Sequence, residues 1–411
     1  MEKQKKYKKR ILILTFSFPA FSGNDNNDFF GGSFLVPEAL SYHKAGAKVT
    51  VLTMHIPGLP LKEKIKKNLN IVRVPYFLPL RFQKIRIPNY PLYTKKFFLW
   101  RLFQLPFFIA AYLVFLCKYV QECDIVHANW TPTALLALPF SFLFRRPIFL
   151  TFRGSDITML PIFFNKHIIK HMDGVFNWKL GDVSKYIKLF KGNYMNLPLI
   201  SSMKSMNSNE NIQFAKQNDI IIFTFIGRLT EDNVQLLKGL DIIIPAAAKL
   251  LNEFGQRGKF QVHLLGDGPF KKKLKRMVVQ SHLNDHVFFQ GFQNNIFPFL
   301  QKTNAVMGGI GLNAVVQEAA FSERLLIMIG GDEWTGDIWK DKSNSLLYKP
   351  HNIDSLVKVM NYVIDNPESC KKIAEEGHKT IKKYATNIDK GGPIYLDCFD
   401  KLIARKRKSN S

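Results

Sequence analysis

Short apolar runs recur along the chain at intervals set by longer, mixed segments. In the first half they are Ile11 to Phe18, Lys48 to Met54, Ile71 to Val74, Asp124 to Ala128, Ile148 to Phe152 and Gly174 to Asn177. Runs that are apolar on both alternating faces read as strands of a parallel sheet covered on both sides. Helix-length segments lie between them, notably Ser33 to Ala45 and Phe97 to Gln121, and residues 180 to 200 read as a short helix and turn. From Ser201 to Asp219 the chain turns to Ser, Asn and Gln, which marks a linker. A second series then begins: Ile220 to Ile226, Phe260 to Leu265, Val287 to Gln290, Ala305 to Met307, Leu325 to Ile329 and Ser345 to Tyr348. Helical stretches Leu240 to Phe254, Phe270 to Ser281, Ala314 to Ser322 and Ile353 to Ile364 separate these runs, and residues 384 to 404 end the chain as a helix bearing Tyr and Phe. The expected class is α/β, with two doubly wound parallel-sheet domains that bind ligands beyond the carboxyl ends of their strands.

At 411 residues the chain exceeds what one core normally serves, and 46% hydrophobic residues, with 36 Phe, supply two. The formal charge of +26 suits an anionic partner. No zinc-finger, RNA-binding-sheet or basic-zipper pattern accompanies it, so no nucleic-acid partner is expected. Basic residues crowd the start, from Lys3 to Arg10, and Arg81, Lys84, Arg86, Lys95, Lys96 and Arg101 interleave with Phe82, Tyr90, Tyr93, Phe97, Phe98 and Trp100. That pattern fits an anionic membrane surface and a cytoplasmic protein peripheral to the inner face of a membrane. Cys117, Cys123, Cys370 and Cys398 form no CxxC or metal-spaced set, so unpaired thiols in a reducing compartment are expected. Ile11 to Ala20 is interrupted by Ser, Thr and Pro and reads as a buried strand rather than an export signal, while Leu105 to Cys117 falls short of the roughly 20 residues a spanning helix needs.

Candidate chemistry gathers at strand ends. Gly308 to Phe321 reads GGIGLNAVVQEAAF: glycines for a tight turn, Asn313 as an N-cap, and a helix carrying Glu318. Unpaired N–H groups at a helix N-terminus suit a phosphate. Arg228 closes the strand IIIFTFIGRL and Lys238 follows in KGLD, two cations fit to grip a diphosphate. Gly31 and Gly32 follow the first strand; His127 and Asn129 end DIVHANW; Arg153 to Asp156 end TFRGSD; Gly266 opens the turn GDGP. GNDNND, before Gly31, lacks calcium-loop spacing, and no D-x-D is present, so no metal site is expected.

Taken in order, the first GG, DIVHANW, TFRGSD, FIGRL with KG, LLGDGP, FFQGF and GLNAVVQEA resemble the GT-B glycosyltransferases, specifically the large retaining family 4. The resemblance implies a first, acceptor-binding Rossmann-like domain over 1–200, a linker over 201–219, and a nucleotide-sugar domain over 220–383. Residues 384–411 would form a helix crossing back to the first domain, with a basic tail. It implies that Arg228 and Lys238 neutralise a donor pyrophosphate, that Gly227, Gly266, Gly311, Leu312 and Asn313 line the donor, and that Glu318 meets the nucleotide ribose. On the sugar and acceptor side it places Gly31, Gly32, His127, Asn129, Arg153 and Asp156. Expected partners are a nucleotide sugar, as substrate rather than cofactor, and a cell-surface polysaccharide or lipid-linked saccharide acceptor. The sequence also departs from the family: Ile310 stands where the first glutamate of E-x7-E belongs, Asn129 and Arg153 stand where His is usual, and FSERLLIMIGGDEWTGDIW lacks Cys-Gly-x-Pro. Those departures frame a second expectation, a catalytically silent GT-B scaffold in a glycan assembly complex.

Overall fold

The computed structural model describes residues 8–19, 32, 35–85, 97–153, 160–177, 194–201, 219–253, 259–293, 295–331, 335 and 338–409. The chain forms two compact units, the second inserted into the first: Met1–Trp178, Val183–Lys204 and Thr386–Ser411 make one, and the rest the other.

The first unit is built on an eight-stranded sheet. Its strands are β1 (Arg10–Leu14), β2 (Lys48–Met54), β3 (Lys62–Lys66), β4 (Leu69–Val74), β5 (Ile125–Asn129), β6 (Ile148–Thr151), β7 (Gly174–Asn177) and β8 (Tyr194–Asn196). Their order is β3-β4-β2-β1-β5-β6-β7-β8, parallel throughout except for the β3–β4 hairpin. The central strands are buried along both faces, as continuous apolar sequence requires. One face carries α1 (Leu35–Lys44); the other carries α2 (Phe98–Glu122), α3 (Thr131–Leu143) and α4 (Ile162–His171), whose inward residues form one core with Leu12, Leu52, Val126 and Leu150. A strand at Tyr194–Asn196 and β9 (Leu199–Ser201) occupy part of the stretch read from sequence as a helix and turn; residues 180–193 of that stretch fall outside the description.

The second unit has six parallel strands, β10 (Ile221–Ile226), β11 (Phe260–Leu265), β12 (Val287–Gly291), β13 (Ala305–Gly309), β14 (Leu325–Ile329) and β15 (Leu346–Tyr348), in the order β12-β11-β10-β13-β14-β15. Winding reverses between β10 and β13, the place where a doubly wound sheet leaves a crevice at its carboxyl edge. Its helices are α5 (Asn233–Leu237), α6 (Ile243–Glu253), α7 (Lys271–Gln280), α8 (Phe297–Lys302), α9 (Ala314–Phe321), α10 (Ile353–Asp365) and α11 (Pro367–Tyr384). Asn352 caps α10, its side chain accepting from the Ser355 N–H at 2.8 Å.

After β16 (Ala385–Asn387), which pairs with β9, the chain ends in α12 (Ile388–Ser409). This helix lies on α1. A Cβ at Gly392 would come 2.2 Å from the Ser41 carbonyl oxygen, so only glycine permits the approach. The Ser41 hydroxyl donates to the Ile388 carbonyl at 2.6 Å, and Phe399 stacks on Phe149 with ring centres 4.4 Å apart.

Candidate functional site

In the second unit three strand ends meet around two cations. The Gly227 N–H, just past β10, donates to the Leu265 carbonyl at 3.0 Å, and a Cβ on Gly266 would lie 1.8 Å from the Gly227 oxygen. Gly266 is therefore a packing glycine, which brings the ends of β10 and β11 together. Arg228 comes next; its guanidinium lies 3.6 Å from Asp232 and is 40% exposed. A loose, half-exposed ion pair of this kind leaves most of the guanidinium's donors available.

Lys238 follows α5 at a left-handed C-cap: Gly239 has φ +81°, with its N–H bonded to Leu236 O at 2.8 Å and the Leu240 N–H to Gln235 O at 3.1 Å. The ammonium is half-buried, and among the described residues it makes no hydrogen bond or ion pair. Burial, with the nearby charge of Arg228 added, lowers its pKa to about 8, against a smaller pull upward from Asp232. Two cations pressed together under partial desolvation are an unfavourable pair unless an anion joins them.

The end of β13, where the register shifts between Met307 and Gly309, borders that pair. Gly308 has φ +77°, and a Cβ there would lie 2.6 Å from the Lys238 carbonyl oxygen and 3.2 Å from the Lys238 Cβ. Beyond it, the carbonyls are turned inward: Gly311 O accepts from the indole N–H of Trp339 at 2.7 Å, and Leu312 O from the side-chain amide of Gln317 at 2.8 Å. Asn313 caps α9, accepting from the Val316 N–H at 2.9 Å. Among the described residues no hydrogen bond uses the N–H of Gly311, Leu312, Ala314 or Val315. Glu318, half-buried, lies in the second turn of α9. Ile310 packs against the core of the unit. Sequence reasoning passed over Trp339 and Gln317. The only available signal was an indole stranded among Gly, Asp and Lys.

The first unit holds a buried polar network at the carboxyl ends of β5 and β6. His127 is 0% exposed. One ring nitrogen meets the Tyr42 hydroxyl at 3.1 Å and the Glu38 carboxylate at 3.3 Å; the other meets the Thr151 hydroxyl at 2.7 Å. Its ring lies among Tyr42, Phe176, Tyr395 and Phe399. His127 is thus a buried tether on the α1 and α12 side of the sheet rather than a group open to a sugar. Arg153 donates to Asn129 Oδ1 at 2.7 Å and also to Glu38. Burial alone would raise the Glu38 carboxyl, but Arg153 first and His127 next outweigh it and hold it down at about 2. Burial, then the charge of Glu38, pushes the Tyr42 hydroxyl well up. Asn129 is fully buried, and its Nδ2 has no partner among the described residues. Gly32, with φ +97°, would bring a Cβ 2.2 Å from Ser17 O, and its carbonyl accepts from the Leu35 N–H at 2.9 Å, starting α1. Gly31 and Asp156 fall outside the described residues. Glu38, which holds the network together, was not singled out by sequence reasoning, because a lone acid near a helix start reads as solvated.

Residues 207–380 match the family described as Glycosyl transferases group 1. A glycosyltransferase of uncharacterized activity from Methanocaldococcus jannaschii is 24% identical over 351 residues, 81% of this chain and 90% of that one. Sucrose-phosphate synthase from Thermosynechococcus elongatus superposes with a TM-score of 0.68 at 16% identity, over 97% of this chain and 100% of that one. HepE from Anabaena, solved with UDP-glucose, does so at 0.63 and 15% identity, over 97% and 100%.

Proposed function

For this chain, a group 1 glycosyltransferase of the GT-B fold, we propose metal-independent, anomer-retaining transfer of a sugar from a nucleoside-diphosphate donor to a saccharide or lipid-linked saccharide of the cell surface. The observation that carries this reading is the Lys238 ammonium, which among the described residues has no hydrogen-bond or ion-pair partner, close to the charge of Arg228 and next to a run of amides likewise unpaired among the described residues. As the sugar leaves, negative charge grows on the diphosphate. Arg228, Lys238 and the amides of Gly311, Leu312, Ala314 and Val315 are already oriented to take that charge without reorganising. Removing one such donor from a comparable site costs about 2.7 to 4 kcal/mol in the transition state. With two cations in that role, transfer is expected to persist in EDTA. Glu318 accepts from the ribose hydroxyls. Gly31, Gly32 and Asp156 are assigned to the sugar or acceptor side of the reaction, while Asn129, as fully buried as His127, orders its own unit's network through Arg153.

Calorimetric titration with UDP, GDP and ADP, followed by turnover assays across nucleotide sugars, tests the proposal. Arg228→Ala and Lys238→Met are expected to abolish transfer while the fold, read by circular dichroism, persists. Full activity in either variant overturns the assignment. Ile310, packed on the core where the family's first glutamate belongs, favours one competing reading, a silent scaffold. Tight nucleotide binding with neither transfer nor donor hydrolysis across the whole panel would establish it instead.

A further inference from the structure

α2 buries only a narrow seam: Arg101, Gln104, Phe108, Tyr112, Leu116 and Val120. Its N-terminal half turns Phe98 (60% exposed), Leu99 (77%), Leu102, Phe103 and Phe107 outward. A short helical turn, Leu80–Phe82, packs beside it. The Phe82 carbonyl accepts from the Trp100 indole at 3.0 Å and from Gln104 at 2.7 Å, and Phe77 meets the edges of Trp100, Phe103 and Phe107. Leu78 and Phe82 are exposed on the same patch. Apolar surface of this extent on one rigid platform marks an interaction site.

Charge identifies the partner. No Asp or Glu stands between Glu63 and Glu122, and among the described residues no carboxylate pairs with Arg81, Lys84 or Lys118. Arg81 lies over the Phe82 ring at 5.1 Å and Lys118 over the Tyr119 ring at 5.8 Å. Aromatic and aliphatic side chains ringed by unneutralised cations match the boundary between acyl chains and anionic headgroups. α2 is long and apolar enough to cross a bilayer. Its seam argues otherwise: Arg101 and Gln104 are tied to the Lys84 and Phe82 carbonyls, and Tyr112 and Leu116 complete the core beneath the sheet. Because α2 runs directly into β5, its N-terminus lies toward the carboxyl edge of the sheet, the edge where the Asn129 and Arg153 network sits.

We propose that the first unit rests on an anionic phospholipid bilayer through the N-terminal half of α2 and the Leu78 to Phe82 turn, with the helix lying in the interface and not across it. Sedimentation with vesicles of phosphatidylglycerol and phosphatidylcholine tests this. Binding should rise with the phosphatidylglycerol fraction and fall with added salt. The triple variant Phe98→Gln, Leu99→Gln, Leu102→Gln, at exposed positions, should bind at least roughly tenfold more weakly. Arg81→Glu with Lys84→Glu should lose the preference for anionic lipid. Nucleotide binding should be unchanged in both, which keeps this test separate from that of the sugar-transfer reading. Triple-variant binding equal to that of the parent, or binding indifferent to phosphatidylglycerol, overturns the proposal. A parent dimer that the triple variant converts to monomer, with vesicle binding intact, assigns the patch to a second copy of the chain and overturns it equally.

Discussion

Gly308 sits against Lys238 so closely that a single added methyl would come 2.6 Å from the lysine's carbonyl oxygen. The irregular end of β13 and the lysine after α5 therefore hold each other's position. Gly308→Ala must strain a backbone at φ +77° and push Lys238 away. We expect a loss of about 1–3 kcal/mol in stability and weaker nucleotide binding. Denaturant melts paired with calorimetry measure both; an unchanged Kd would separate the loop from the site.

The Lys238 ammonium, with its pKa near 8, predicts a pH profile. Between about pH 7 and 8 the cation and the fully ionised diphosphate are both present and affinity is flat. Above that range, affinity falls by up to about tenfold per pH unit until the pKa of the bound form is reached. Lys238→Met should bind weakly at every pH and lack the bend.

Stability should respond in the opposite sense. A lysine whose folded pKa is depressed disfavours folding most fully below about pH 8, and the penalty fades as pH rises toward its unfolded value of 10.5. Without ligand at pH 7, Lys238→Met should therefore melt above the parent. Calorimetric scans with and without UDP would show the order of melting temperatures reverse.

Glu38 works the other way. Its carboxyl, held at about 2 when folded, contributes stability that is fully present above the usual carboxylate range and is lost as pH falls from about 4.5 toward 2. Glu38→Ala leaves Arg153 without its buried counter-charge and should cost about 3–5 kcal/mol at pH 7. Urea melts across pH 2.5 to 7 should show the parent's slope between 4.5 and 2.5 flattened in Glu38→Gln.

Trp339→Phe removes one buried hydrogen bond to the Gly311 carbonyl. A loss of about 0.5–1.5 kcal/mol in stability follows, together with a looser loop and a higher nucleotide Kd. A melting temperature and Kd equal to the parent's would show that the indole does not set the loop.

Much of the framework could be read from the pattern alone, because a strand covered on both faces is apolar throughout. Lys48–Met54, Phe260–Leu265 and Leu325–Ile329 fall where their runs do. The helices missed are those whose signal is thin or flooded. α11 buries only a stripe including Cys370, Ile373, Gly377 and Ile381 in a charged segment, while α3 is apolar all round and contains two prolines. At the site, local chemistry was legible and distant chemistry was not. Asn313 caps a helix beginning at the next residue, so its role shows in the sequence. Glu38 acts on Arg153, 115 residues away, and Trp339 on Gly311, 28 residues away. His127 misled for a related reason: β5 is buried on both faces, so nothing in the pattern tells which layer an alternate residue will meet.

The closing helix α12 supplies Tyr395, Phe399 and Leu402 to the core that also contains Ile11, Ile13 and Phe149. A ribosome therefore releases the second unit's full sequence before the first unit's last core residues exist. The part begun earliest must wait, with β1 and β5 lacking that cover, until α12 has been made. The intervening unit is free to fold first.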